Sequence, residues 1–293
     1  MLRKLSIFNF LLFTFYFLLV LSVSAQNLSV RDIMREPGLA GMRPDSERIS
    51  PDGNKVIFAW NAEGKEPRNL YIWAGGEPKI LVNAEANFEL RSTPPENKLN
   101  YGLIVRDDFV KAREKNLFGV EFSPDSKRIL FLQNSDIYVL DLDNSMAKPR
   151  RVTRTQGFES SARWLTNDSI LYSSNGNFFV LNLQETSLVQ ITKEANPQAF
   201  QSIFNAVPSK DGKLLSYVVS DGSRQRALFV PNYLDEFTTA PTFRRGWTEQ
   251  RVFATLTDGS RENPFEIKLP RAEGVSYIRS LKWTADNQSL LVD

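Results

Sequence analysis

The sequence predicts an all-β protein, a β-propeller of four-stranded antiparallel blades, with about six repeats visible and a further blade cut short. A turn aspartate recurs along the chain, at Asp52, Asp125, Asp168, Asp211 and Asp286. The intervals between these residues are 73, 43, 43 and 75, and a propeller blade takes roughly 40–45 residues. The two longer intervals therefore predict one degenerate copy each, near residues 87–98 and 244–258.

Continuous apolar runs also favour this fold. The runs "ILFL" (129–132) and "FFVL" (178–181) do not alternate with polar residues, which is typical of strands buried on both faces. The fourth strand of a unit is polar, as in "RRVTR" (150–154), and this suits an exposed sheet edge. A two-sheet sandwich is the alternative, but it gives no reason for a repeat of 43 residues.

Residues 1–25 are predicted to be a signal peptide. Arg3 and Lys4 precede an apolar run from Leu5 to Leu21, and Val23-Ser24-Ala25 provides small residues for cleavage after Ala25. This predicts export to the periplasm or the exterior, whereas an uncleaved run would anchor the chain in a membrane. No later segment has the roughly 20 apolar residues of a spanning helix.

Residues 26–48 are predicted to form an N-terminal segment with a short helix at 30–38. Residues 49–293 are predicted to form the propeller. Its last unit stops after a second strand, so we expect the sequence to be a fragment of a longer protein. Completion of that blade by the N-terminal segment is the alternative.

One unit of the repeat spans residues 117–154. Its predicted strands are 117–122, 128–132, 137–142 and 150–154. Ser123-Pro124-Asp125-Ser126 is a tight turn, because proline fixes φ at the second position and aspartate bonds nearby backbone amides from the third. We therefore interpret the repeated turns as structural.

Composition excludes several kinds of site. The chain has no cysteine and no histidine, so it cannot by itself form a disulfide, a thiolate metal site, a Ser-His-Asp triad or a Cys-His pair. Without the predicted signal it carries 34 basic and 34 acidic residues, and no basic cluster indicates a nucleic acid or membrane partner. We predict no metal, no cofactor and no catalytic residue in this chain.

Three segments carry a resemblance to a known family: "ISPDGNKVIFAW" (49–60), "FSPDSKRILFLQNSDIYVLDLDN" (122–144) and "WLTNDSILYSSNGNFFVLNLQETSLVQIT" (164–192). Together with the signal and "RDIM" (31–34), they resemble the N-terminal propeller of prolyl oligopeptidase family serine peptidases. In that family, particularly in its dipeptidyl peptidase IV and acylaminoacyl peptidase branches, such a propeller precedes an α/β-hydrolase domain. TolB-like periplasmic propellers carry the same Ser-Pro-Asp-Gly turn and are the nearest lookalike.

The resemblance implies a propeller that restricts access to a Ser-Asp-His site in a C-terminal α/β-hydrolase domain, expected beyond Asp293, with short peptides as substrates. This chain has no Gly-x-Ser-x-Gly nucleophile segment. The dipeptidyl peptidase IV branch also carries a paired-glutamate motif that holds the free amine of the substrate. This chain has no Glu-Glu pair, which argues against strict aminodipeptidase specificity.

The segment "NYLDEFTTAPTFRRGW" (232–247) interrupts the repeat and supplies the candidate substrate-binding residues. Asp235 and Glu236 are predicted to attract a peptide amine. Tyr233, Phe237 and Trp247 are predicted to form an apolar wall beside them. Arg244 and Arg245 are predicted to hold a carboxylate or a neighbouring domain. A connecting loop with solvated charges is the alternative.

Arg106, Asp107 and Asp108 are interpreted as a surface loop, because further oxygen ligands at a useful spacing are missing for a metal site.

Two functions from different classes remain open. One is the non-catalytic, substrate-gating propeller of an exported serine peptidase that cleaves short peptides. The other is a free-standing periplasmic TolB-like propeller that acts as a protein-interaction module.

Overall fold

The structure is a computed structural model that describes residues 28–34, 41–88, 112–155, 157–196, 200–222, 226–231, 237–245, 249–269 and 277–293. The chain divides into two compact units. The first comprises Met1–Met42 and Ala62–Lys65, and its described part contains the helix α1, Val30–Met34, inside the range predicted to be helical. The second unit comprises Arg43–Asn61 and Glu66–Asp293 and holds the sheets. Over the described ranges, none of the helices has the length and apolarity needed to cross a membrane.

The second unit begins with three consecutive four-stranded antiparallel sheets. Sheet 1 contains β1 (Asp45–Ile49), β2 (Val56–Trp60), β3 (Asn69–Trp73) and β4 (Lys79–Val82), followed by the short helix α2 (Ala84–Asn87). Sheet 2 contains β5 (Leu117–Phe122), β6 (Arg128–Gln133), β7 (Asp136–Asp141) and β8 (Arg150–Arg151). Sheet 3 contains β9 (Glu159–Trp164), β10 (Ser169–Ser174), β11 (Asn177–Asn182) and β12 (Ser187–Gln190). Strands pair in chain order, so the first and fourth strands form the two edges of each sheet.

Sheet 4 contains an inserted hairpin. Its strands are β13 (Gln201–Pro208), β14 (Leu214–Asp221), β17 (Glu249–Leu256) and β18 (Phe265–Ile267). Between its second and third strands lie β15 (Arg226–Pro231) and β16 (Phe237–Arg245), which pair with each other. In sheet 5 the described residues form β19 (Leu281–Trp283) and β20 (Leu290–Val292).

The insertion corrects one interpretation of the sequence. In the described part of the interval of 75 residues between Asp211 and Asp286, the hairpin of β15 and β16 separates β14 from β17, and these two strands pair directly in sheet 4. Residues 244–258 are therefore not a degenerate repeat. The spacing was misleading because an inserted hairpin lengthens the chain much as a further repeat would. The other predicted copy, near 87–98, lies almost entirely outside the described residues.

The inner sheets bury both of their faces. In sheet 2, Ile129 and Phe131 pack against sheet 1, whereas Leu130 and Leu132 pack against sheet 3. Two further apolar clusters join sheet 3 to sheet 4 and sheet 4 to sheet 5. A two-sheet sandwich covers one face of each sheet, so this alternative is excluded. The all-β propeller prediction is confirmed in the form of successive, mutually covered antiparallel blades.

A stacked aromatic pair repeats between the second and third strands of sheets 1 to 4. Phe131 and Tyr138 are direct cross-strand partners, and their ring centroids lie 5.4 Å apart. The equivalent pairs in sheets 1, 3 and 4 are Phe58–Tyr71, Tyr172–Phe179 and Tyr217–Phe253. Aromatic cross-strand pairs fix the pairing of neighbouring strands and add about 0.5–1.5 kcal/mol beyond their buried area.

The turn between the first and second strands is held by the same side-chain hydrogen bonds in four sheets. In sheet 2, Ser123 Oγ donates to Asp125 Oδ1 at 2.5 Å and accepts from Arg128 N at 2.9 Å. The same carboxylate oxygen accepts from Lys127 N at 3.1 Å. The equivalent hydroxyl–carboxylate pairs in sheets 1, 4 and 5 are Ser50–Asp52, Ser209–Asp211 and Thr284–Asp286. The interpretation of these repeated turns as structural is confirmed.

Neighbouring turns are also bonded to one another. Asp52 N donates to Ser126 Oγ at 3.1 Å, which joins the turns of sheets 1 and 2. Asp125 N donates to Asn167 Oδ1 at 3.0 Å in sheet 3, and Lys210 N of sheet 4 donates to Asn287 Oδ1 at 2.8 Å in sheet 5. In each case a turn side chain of the following sheet accepts a backbone N–H of the preceding one, so the turns help to set the spacing of the stack.

We expect Ser123→Ala to lower the free energy of unfolding by about 1–3 kcal/mol, because the Arg128 N–H loses a buried acceptor. Ser123 is fully buried. Urea denaturation followed by tryptophan fluorescence measures the change. Ser202→Ala, at an exposed position in β13, is the matched control and should change stability by less than about 0.5 kcal/mol. Equal losses in the two variants would contradict this account of the turn.

The pKa of Asp52 is lowered to about 2 from 3.8, chiefly by the hydrogen bond from Ser50 Oγ and next by the Asn54 backbone N–H. A carboxyl group whose pKa is depressed by folding stabilises the fold above its unfolded pKa, and that contribution is lost as the pH falls towards about 2. We expect Ser50→Ala to move the pKa of Asp52 back towards 3.8, as measured by NMR titration of the carboxyl carbon. The pKa of Asp211, which is lowered chiefly by Ser209, is the internal control and should not move.

Candidate functional site

The inserted hairpin carries most of the candidate residues, and the structure describes only part of it. Tyr233, Asp235, Glu236 and Trp247 lie outside the described residues, as do Arg106, Asp107 and Asp108. Phe237 begins β16 opposite Pro231, and Arg244 and Arg245 end that strand opposite Ala227 and Arg226. The two arginines therefore lie at the base of the hairpin, and the role of the whole set in substrate binding stays a prediction.

A second candidate surface is the first-strand edge, which we define as the first strands of the sheets, β1, β5, β9, β13 and β19. β1 lies beside β5, β5 lies beside β9, and β13 lies beside β19. The faces of the inner sheets are covered by neighbouring sheets, whereas within the described part of the chain each of these strands has one edge without a partner strand in its own sheet. Backbone and side-chain groups on that edge are therefore available to a ligand.

A β-bulge recurs in β1, β5, β9 and β13. The pairing of each of these strands with its neighbour is interrupted near the middle. The left-handed residues of the bulges are Ser46, Gly119, Ser161 and Asn205, with φ of 59°, 58°, 51° and 50°. A bulge twists a strand and redirects its side chains. In β5 the result is an exposed Phe118.

Charged side chains occupy one level of the first-strand edge. Arg48, Glu121, Arg163 and Lys282 all lie two positions before the first residue of the turn in their sheets. Each is paired with the corresponding position of the second strand, opposite Ile57, Leu130, Leu171 and Leu291 respectively. In sheet 4 this level is occupied by Val207, opposite Ser216. Three basic groups and one acidic group thus share a level.

The Glu121 carboxylate bonds across to sheet 3. Its Oε2 accepts from Trp164 N at 3.1 Å, and Trp164 Nε1 donates back to Glu121 O at 3.3 Å. Burial raises the pKa of Glu121, and this effect outweighs the hydrogen bond from Trp164 N and the attraction of Arg163 and Arg48, which lower it. Trp283 repeats the second contact, since its Nε1 donates to Val207 O at 3.0 Å.

The two neighbouring arginines are not paired with this carboxylate. Arg48 is exposed, and its Nη1 donates to Glu47 O at 2.8 Å. Arg163 is half-buried. Among the described residues, no carboxylate lies within ion-pair distance of either guanidinium. The level therefore presents positive charge that is only partly offset by Glu121.

A small cleft lies between sheet 3 and the connection from β17 to β18. Its volume is about 190 Å³, and its lining includes Lys193, Glu194, Arg261 and Glu262. Tyr217 Oη donates to Glu194 Oε1 at 3.0 Å, so one oxygen of that carboxylate already has a partner. Burial, followed by the charge of Glu194, raises the pKa of Tyr217. The cleft is below the roughly 300 Å³ at which ligand pockets usually begin, so it does not favour a peptide.

Two kinds of reactive site are missing from the described surfaces. The chain has no histidine or cysteine, and within the described ranges no three acidic or other metal-binding side chains lie close enough together to hold a metal ion. The first-strand edge does present groups that can bind a ligand: the exposed guanidinium of Arg48, the half-buried guanidinium of Arg163, strand edges and the exposed ring of Phe118.

No protein-family model matches the chain. Among solved structures, dipeptidyl peptidase 4 of Porphyromonas gingivalis is similar, with a TM-score of 0.50 and 17% sequence identity over 85% of this chain and 36% of that chain. A putative TolB from Agrobacterium tumefaciens matches with a TM-score of 0.41 and 18% identity over 75% of this chain and 64% of that chain. The chain thus spans about a third of the dipeptidyl peptidase 4 chain and less than two thirds of the other.

The likeness to dipeptidyl peptidase 4 confirms, at the level of the fold, the resemblance predicted from the sequence. At 17% identity it does not extend to activity or site residues.

Sequence reasoning missed Arg48, Glu121 and Arg163. A signal was available, because each residue stands at the same offset before the repeated turn. Aligning the units on the turn shows the shared position, but it does not show that neighbouring sheets bring these side chains together.

We expect the free energy of unfolding of Glu121→Gln, relative to that of the wild type, to be higher at about pH 7 than at about pH 4. Burial raises the pKa of Glu121, so the folded state binds the proton more tightly than the unfolded state. The contribution of Glu121 to stability therefore falls as the pH rises through its folded pKa. The glutamine oxygen can still accept from Trp164 N.

Urea midpoints of both proteins at the two pH values measure this difference. Glu77→Gln, at an exposed position between β3 and β4, is the control and should show no such dependence. A difference between Glu121→Gln and wild type that is identical at both pH values would refute the role of burial.

Proposed function

We propose that this chain is the non-catalytic, substrate-gating propeller of an exported serine peptidase that cleaves short peptides. The observation that carries the proposal is the stack of sheets covered on both faces, which restricts a ligand of the inner sheets to edges, turns and insertions, the first-strand edge among them. A chain without histidine or cysteine can admit or exclude a peptide but cannot assemble a triad to cleave it.

The similarity in fold to dipeptidyl peptidase 4 supports this proposal. That protein's chain is much longer than the part matched here, and we propose that the catalytic α/β-hydrolase domain of this protein lies beyond Asp293. In this proposal residues 1–25 direct export and are removed after Ala25, residues 26–48 form the N-terminal segment, and residues 49–293 form the propeller.

The inserted hairpin contributes to substrate binding in this proposal. Arg244 and Arg245, at its base, would hold a peptide carboxylate. Asp235 and Glu236 would hold an amine, with Tyr233 and Trp247 as the apolar wall beside them.

The coding sequence beyond Asp293 provides the first test. An open frame that continues into a Gly-x-Ser-x-Gly segment, followed by aspartate and histidine, supports a gated peptidase. A stop codon shortly after Asp293 contradicts it and favours the TolB-like interaction module.

We expect the purified chain to release no product from chromogenic dipeptide or acyl-amino-acid substrates, because it has no histidine to activate a serine. The full gene product should cleave short peptides and should lose activity steadily along a series of longer ones, with a folded protein as the limiting substrate. A fluorophosphonate probe, which labels activated serines, should label the full product and not this chain. Serine-dependent hydrolysis by the chain alone, or equal cleavage of short peptides and folded proteins by the full product, would overturn the proposal.

A further inference from the structure

We propose that Arg48, Arg163 and Lys282 form a carboxylate-selecting level on the first-strand edge, so that the gated substrates are peptides carrying negative charge. This inference rests on the proposed gating function and adds the chemical class of the substrate. It concerns residues other than those of the inserted hairpin.

The residues of this level occupy equivalent positions in their sheets. The bulges of β1, β5 and β9 lie before this level, and ordinary pairing resumes at Arg48, Glu121 and Arg163. Because the bulge and the turn stand at matched places in each sheet, these residues start from equivalent backbone positions. β1 lies beside β5 and β5 beside β9, so the two arginines flank Glu121 on adjoining sheets.

The side chains of this level are mostly basic. In the five described sheets, Glu121 is the only acidic residue at this level, and its carboxylate is partly buried and already accepts the Trp164 N–H. The acidic neighbours on β1 do not neutralise Arg48. Asp45 Oδ2 pairs with Arg68 Nη1 at 3.0 Å, and Glu47 forms no ion pair with Arg48 within the described part of the chain. The level therefore carries a net positive charge.

The basic side chains of this level have hydrogen-bond donors available for a ligand. The guanidinium of Arg48 is bonded through Nη1 to Glu47 O and retains further N–H donors. The guanidinium of Arg163 makes no hydrogen bond to another described residue, although its charge attracts the Glu121 carboxylate, and Lys282 is exposed. Guanidinium groups match the two oxygens of a carboxylate, and such charge-assisted bonds are stronger than neutral ones. Phe118, exposed on β5 between the two arginine-bearing strands, offers an apolar contact to the rest of the peptide.

Glu121 moderates this attraction. A surface through which substrates pass must hold them weakly enough to release them. A fixed carboxylate between two arginines lowers the local positive potential and disfavours a tightly held anion. Removing its charge should therefore strengthen binding of a carboxylate, which is the opposite sign from removing an arginine.

The experiment measures binding of three probes to the purified protein by isothermal titration calorimetry. The probes are N-acetyl-trialanine with a free carboxylate, its C-terminal amide, and an amide analogue bearing one lysine. We expect the carboxylate form to bind about tenfold more tightly than the amide at low ionic strength, and the lysine form most weakly. The ratio of carboxylate to amide affinity should approach one at about 1 M salt, where charges are screened within about 3 Å.

Variants assign the effect to this level. Arg48→Gln and Arg163→Gln should each reduce the carboxylate-to-amide ratio about threefold, and Glu121→Gln should raise it. Arg150→Gln, at an exposed position on the outer strand β8, is the matched control and should leave the ratio unchanged. Circular dichroism and urea midpoints establish that each variant is folded.

Equal affinities for the carboxylate and amide probes, or an equal loss in Arg150→Gln, would overturn the inference, as would the absence of binding by every probe. None of these results bears on gating, which is tested by the dependence of cleavage on peptide length in the full gene product. Loss of that dependence together with an intact charge preference would remove the gating function and leave only a carboxylate-binding edge.

Discussion

Burial of both faces of each inner sheet is the constraint on which the rest of the structure depends. Sheet 2 shows it most clearly, because Ile129 and Phe131 lie in one core cluster and Leu130 and Leu132 in the next. Consecutive residues thus contribute to different interfaces, and the strand reads as an unbroken apolar run. Where both faces of a sheet are covered, a ligand can meet only the edges, turns and insertions of that sheet. The packing therefore limits where a ligand can contact the inner sheets.

Polar contacts at both ends of the sheets hold the interface between sheets 1 and 2. At one end, the Asp52 N–H donates to Ser126 Oγ. At the other, the fully buried Gln133 accepts from Asn87 Nδ2 at 2.7 Å and donates to Ala84 O and Lys115 O at 2.7 Å. Apolar contact alone does not specify how two flat surfaces are aligned, whereas directional hydrogen bonds do. Such bonds fix the alignment that brings Arg48 near Glu121.

The repeated sheets contain two kinds of position: turn residues that hold the backbone, and residues two positions earlier whose side chains vary. The Ser–Asp and Thr–Asp turns recur because they satisfy the backbone groups of a tight hairpin. The level two residues before those turns is different: its side chains vary among arginine, glutamate, valine and lysine while the backbone position stays the same. A repeated scaffold allows one position per sheet to change without disturbing the packing, and a binding preference can be built from such positions.

The sequence by itself determined the local structure. The strand bounds predicted for 117–142 agree with β5 to β7 within one residue, because proline, aspartate and continuous apolar runs act over short distances. The fourth strand, β8, ends at Arg151, three residues before the predicted end. The absence of histidine settled which chemistry this chain cannot perform. Only the tertiary structure decided that β17 pairs with β14 across the inserted hairpin, and that Arg48, Glu121 and Arg163 lie on adjoining sheets. The first depends on strand pairing across an insertion, and the second depends on which sheets pack together. The three charged residues are 42 to 73 positions apart, and proximity over such separations leaves no mark in local propensity.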